Sequence, residues 1–153
     1  MKVANLATQI QPQTRILFDA SVIIAYLDGK DAYSSLAAHL LDEFVASDRN
    51  LAVVSAVTVM EVLVRPMRSG PPEGYRHVMD FFQRFPNLTC LPLDLAIAQE
   101  AASVRAHFRL GASDAITVAT AIVGQTSYIL TADREWATKL KPLADRVNIV
   151  CLA

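Results

Sequence analysis

A chain of 153 residues, 53% hydrophobic and 19% charged, is long enough for one packed domain and too apolar for a disordered one. Its net charge of −1 argues against a protein that coats nucleic acid through bulk positive charge. No apolar run approaches the ~18 residues of a membrane span, and Met1-Lys2-Val3-Ala4-Asn5-Leu6 lacks a secretion signal, so a cytoplasmic chain with no membrane partner is expected.

Residues 1–14 are polar and non-periodic, which predicts a flexible N-terminal arm ahead of one domain over 15–153. Arg15-Ile16-Leu17-Phe18 reads as a short buried strand ended by Asp19, followed by a helix from Ser21 to Leu27 that stops at Asp28-Gly29. Asp31 is placed to cap a helix running to about Ser47. Leu51–Ser55 is a second strand, and the helix after it is expected to stop near Pro66. A helix follows from about Glu73 to Phe85. Leu88–Leu93 is a third strand, with Pro92 marking its end or a sheet edge. Asp94 caps a helix to about Phe108, and Ser113 is placed to cap the next, to about Val123. Tyr128–Thr131 and Val147–Val150 are the last strands, with a short helix opened by Asp133 between them. Cys90 and Cys151 are expected as buried strand thiols, and they offer no zinc spacing.

Strands alternate with helices, and no strand alternates polar with apolar. That pattern predicts an α/β domain with a mostly parallel five-stranded sheet covered by helices on both faces.

Glu61 lies in Ala56–Val64, a run with no other charge. A carboxylate in such a run needs a compensating cation, either a basic side chain or a metal ion. Asp19 ends the first strand, Asp133 follows the fourth, and Asp114 opens the helix before the fourth. In a parallel sheet these positions share the carboxyl edge, where ligands bind. Each acid also has a simpler role. Asp19 and Asp133 suit helix caps, Asp114 complements a helix dipole, and Glu61 stands four residues before Arg65. Taken together, the four suit Mg²⁺ or Mn²⁺, which prefer hard oxygen ligands and assist phosphodiester hydrolysis. From Arg65 to Arg109 the chain carries six arginines against four acids. Arg65, Arg68, Arg105 and Arg109 are thereby candidates for contact with an RNA backbone.

Four segments resemble the motifs of PIN-domain ribonucleases: Ile16–Ile24 around Asp19, Ser55–Val62 around Glu61, Asp114–Ala121, and Tyr128–Trp136 around Asp133. The resemblance runs from residue 15 to about 150, and is nearest to the compact VapC-type toxins of toxin–antitoxin pairs. It implies a single-domain PIN-like fold and a Mg²⁺- or Mn²⁺-dependent endoribonuclease. It also implies a homodimer and an antitoxin whose C-terminal segment plugs the acidic groove. By the resemblance, Asp19, Glu61, Asp114 and Asp133 hold the metal, while Ser21 and Thr131 orient carboxylates or water. Two features depart from the pattern: the arm before Asp19, and Trp136 where Phe is common.

The alternatives are a catalytically silent PIN-like module that binds RNA or protein, and an α/β protein phosphorylated on Asp19. The second is disfavoured because Ser21 stands where such phosphatases carry a second Asp. A nucleotide-binding enzyme is disfavoured because no glycine-rich loop follows any strand.

Overall fold

The computed structural model describes residues 3–153, with side chains from residue 5 onward. Its centre is a five-stranded, wholly parallel sheet in the order β3-β2-β1-β4-β5. The strands are β1 (Arg15–Phe18), β2 (Leu51–Ser55), β3 (Leu88–Leu91), β4 (Tyr128–Thr131) and β5 (Asn148–Cys151). These are the five stretches expected from the sequence, with shifts of a residue or two at the ends. Pro92 follows β3, which is an edge strand, as the missing N–H of proline requires.

Side chains along each strand alternate between two cores. Ile16, Phe18, Val54 and Leu130 face one way, into a core shared with α1 (Val3–Gln9), α2 (Ala20–Asp28), α3 (Ser34–Ala38), α4 (Ala56–Ser69) and α5 (Pro72–Arg84). Leu17, Val53 and Ile129 face the other way, toward α6 (Leu95–Phe108), α7 (Ala112–Val123) and α8 (Arg134–Lys139). Burial on both faces explains why the strands are unbroken apolar runs.

Four local expectations are corrected. The arm expected over residues 1–14 contains the helix α1, and its Leu6 and Ile10 are 0% exposed. Leu6 within the helix and Ile10 just past its end seat the segment on the core, although it is polar on average. Asn50 Nδ2 also donates to the carbonyls of Gln11 (2.8 Å) and Thr14 (3.0 Å). Met1 and Lys2 lie outside the described residues.

The helix expected up to Ser47 starts at Ser34 and continues as a π-helical stretch, His39–Val45. Asp31 does not cap it with its side chain; its backbone N–H donates to Ser34 Oγ instead. α4 runs through Pro66 to Ser69, because a proline in the last turn removes one backbone bond without ending the helix. Cys90 is exposed and Cys151 half-exposed, since both stand on edge strands.

Candidate metal centre

The chain leaves β1 toward β2 and β3 on one side, then returns to β4 and β5 on the other. The carboxyl ends of β1 and β4 therefore flank the switch point of the sheet. Asp19 sits there, directly after β1, with its backbone N–H donating to Leu130 O (2.9 Å). It occupies the cap position of α2, but its side chain makes no capping bond. Instead Asp19 Oδ2 accepts from Ser21 Oγ (2.7 Å) and from Thr131 Oγ1 (3.0 Å).

Both hydroxyls are oriented from behind. Ser21 Oγ accepts from the N–H of Ala132, and Thr131 Oγ1 accepts from the N–H of Asp133, each at 3.0 Å. A backbone N–H can only donate, so each hydroxyl must turn its own proton toward the carboxylate. Asp19 is 9% exposed, and these two bonds fix it in place.

Glu61, half-buried in the middle of α4, accepts from Ser113 Oγ. Arg65, placed by spacing to pair with it, pairs with Asp28 at 2.8 Å instead. Asp133 does take the simpler role: it caps α8 by accepting from Glu135 N (2.8 Å).

Asp114 is half-buried in the first turn of α7 and has no hydrogen bond or ion pair among the described residues. Its carboxyl holds its proton above the usual range, chiefly because of burial, and then because of the charges on Asp19, Glu61 and Asp133; Lys139 opposes this. Asp114 thus lies within the field of the other three acids. Lys139 is itself paired with Glu135 at 2.7 Å. Among the described residues, no salt bridge reaches any of the four acids. None, likewise, presents three His, Cys, Asp or Glu side chains already gathered around one point. Two of the carboxylates accept instead from Ser113 Oγ and from the Glu135 N–H.

Four oxygen-bearing acids, none of them with a basic partner among the described residues, are the kind of donors a hard divalent cation takes. The hydroxyls of Ser21 and Thr131 lie behind this set, against Asp19. Two features escaped the sequence reading. Ser113 lies off the cap position of α7, which is Gly111, and its hydroxyl goes to Glu61. Thr58, one turn before Glu61, has a buried hydroxyl with no partner among the described residues.

The candidate arginines lie on α4 and at α6 and its C-terminal end. Arg65 and Arg68 are exposed on α4, and Arg65 lines a groove of about 380 Å³ together with Glu61, Ile24, Leu27, Val62 and Val78. Arg105, exposed on α6, lines a recess with Ala112 and Ala115, which flank Asp114 on the α7 turn. Arg109 is exposed and ends α6 in the left-handed conformation (φ 53°).

The family profile described as the PIN domain matches residues 16–140. Among curated proteins no sequence match is found. Solved structures align over most of the chain. A toxin–antitoxin complex from Klebsiella pneumoniae aligns with TM-score 0.65 and 20% identity, covering 90% of this chain and 98% of the other. The FitAcB structure from Neisseria gonorrhoeae aligns with TM-score 0.65 and 22% identity, covering 90% and 97%. A Mycobacterium tuberculosis VapC, described as a sarcin-ricin loop cleaving toxin, aligns with TM-score 0.62 and 14% identity, covering 74% and 86%. At these identities the structures establish likeness of fold. Among the described residues no helix is long and apolar enough to cross a membrane.

Proposed function

The chain belongs to the PIN domain family, and on that premise we propose that it is a Mg²⁺- or Mn²⁺-dependent endoribonuclease, the toxin of a toxin–antitoxin pair. The carrying observation is the state of Asp114. It is half-buried, its carboxylate is unpaired among the described residues, and its proton affinity is raised first by burial and then by the charges of three acids on separate elements. A structural carboxylate would be expected to have found a lysine, an arginine or a backbone N–H. Asp19, Glu61, Asp114 and Asp133 are the residues that would hold the metal.

The bound metal would activate water and neutralise charge on the phosphate under attack. The chain's own residues prepare for that chemistry. Ser21 and Thr131 hold Asp19 by Oδ2, leaving Oδ1 without a hydrogen bond among the described residues. Arg65, Arg68, Arg105 and Arg109 would engage the backbone of an RNA bound over the acids. They steer the strand without reading its bases.

The toxin role rests on the company the fold keeps, since one aligned structure is described as a toxin–antitoxin complex and another as a toxin. An antitoxin segment as partner suits the groove beside Glu61, whose floor is apolar. A homodimer and a cytoplasmic location belong to the same proposal.

The test is direct. Purified chain is incubated with single-stranded and structured RNA, with Mn²⁺, with Mg²⁺, or with EDTA. Metal-dependent cleavage that Asp19→Asn and Asp114→Asn both abolish is the expected result. Cleavage that survives EDTA, or both substitutions, overturns the mechanism. A folded protein that binds RNA without cutting it under any metal would favour the silent module instead.

A further inference from the structure

The hydroxyl of Ser113 joins the first turn of α7 to the middle of α4, across 52 positions of sequence. A serine near a helix start ordinarily serves as a cap, and this one does not. α7 begins at Ala112, its cap position is Gly111, and no side chain caps it. The single proton of Ser113 Oγ is committed to Glu61 Oε1. Among the described residues no basic side chain pairs with Glu61, and Arg65 is engaged by Asp28. A glutamate has several staggered torsions to settle before its carboxylate has a fixed place. Among the described residues, Ser113 is the polar partner that settles them.

We propose that Ser113 is a positioning residue for Glu61, tying one of its carboxylate oxygens to the helix that carries Asp114 and leaving Oε2 to a divalent cation. The inference rests on the metal-dependent reading above. It assigns the register between the α4 acid and the α7 acid to one hydroxyl, and not to the backbone alone. A neighbour that orients a ligand in this way typically changes metal affinity by ~10–100-fold when removed.

The experiment measures Mn²⁺ binding to the full chain by calorimetry and by the loss of the free-ion paramagnetic signal. The proteins are wild type, Ser113→Ala, Ser113→Thr, Glu61→Gln and the Ser113→Ala/Glu61→Gln double variant. Thermal melts confirm that each is folded. Ser113→Ala should weaken Mn²⁺ binding by at least about tenfold, and Ser113→Thr, which keeps the hydroxyl, should recover most of it. In the Glu61→Gln background, the alanine substitution should add almost nothing. A Ser113→Ala protein that binds Mn²⁺ as wild type does overturns the proposal, as does an equal loss in the Glu61→Gln background. If wild type binds no Mn²⁺, or Glu61→Gln binds it undiminished, the metal reading itself has failed, and that result is told apart by the parent proteins alone.

Discussion

Thr131, the last residue of β4, donates its hydroxyl to Asp19, the residue that follows β1, across 112 positions of sequence. The bond closes the switch point of the sheet from one side, while Ser21 closes it from the other. Each hydroxyl is oriented by a backbone N–H of the β4–α8 turn, so the strand order itself fixes the proton direction at Asp19.

Thr131→Val keeps the shape and removes that donor. The loss of a hydrogen bond to a buried carboxylate should cost about 1–3 kcal/mol in denaturant unfolding. RNA cleavage should fall by about 10–100-fold beyond what the stability loss explains. Wild-type turnover in a folded Thr131→Val protein would deny Thr131 any part in holding Asp19.

Asp114→Asn should lose cleavage and gain stability. Burial and three acids raise the proton affinity of Asp114 in the folded chain. A carboxyl raised in this way supports folding in full below its unfolded pKa, and that support is lost as pH rises through the folded pKa. The ionised group is therefore a cost at neutral pH. Asparagine should relieve up to about 1 kcal/mol, a figure kept small because the half-exposed group is screened by solvent. The gain should shrink as pH falls into the carboxylate range, and melts of both proteins across acidic to neutral pH would expose a wrong sign.

Added Mn²⁺ should raise the melting temperature, because only the folded chain assembles the acids. At about one hundred times the dissociation constant the stabilisation is roughly 2.7 kcal/mol. EDTA should reverse it, and Asp19→Asn should remove it. The effect should weaken in mild acid, since Asp114 gives up its proton reluctantly. An unchanged melt at saturating Mn²⁺ and Mg²⁺ would count against the centre.

The N-terminal helix should matter to stability. Leu6 and Ile10 are 0% exposed, so Leu6→Ala should cost about 2–5 kcal/mol. A cost near zero, read from the denaturant midpoint, would return the segment to the status of a loose arm.

Thr58→Val should be neutral or stabilising by about 1 kcal/mol, because it replaces a buried unpartnered hydroxyl with a methyl group of the same shape. A marked destabilisation would mean that the hydroxyl is satisfied in solution.

The order and type of the elements were legible along the chain, because a strand covered on both faces and a helix covered on one leave different periodicities. Two of the exceptions are instructive. Leu6 and Ile10 are too few to show as a pattern, and both are buried as members of the first core. Cys90 and Cys151 sit in apolar runs and were read as buried. Exposure followed from β3 and β5 being the outer strands, and strand order is absent from local composition.

The four acids could be picked out one by one, since a charge in an apolar run or at a strand end costs energy wherever the chain goes. The partner of Glu61 could not. Spacing along a helix offered Arg65 to Glu61, and the fold gave Arg65 to Asp28 and Glu61 to Ser113. The sequence by itself determined which groups carry charge and which segments must be buried, because those energies belong to single residues and their near neighbours. Which hydroxyl meets which carboxylate was decided by the tertiary structure alone, because a hydrogen bond of under 3.5 Å between residues 52 or 112 positions apart exists only once strand order and helix packing have set the distance.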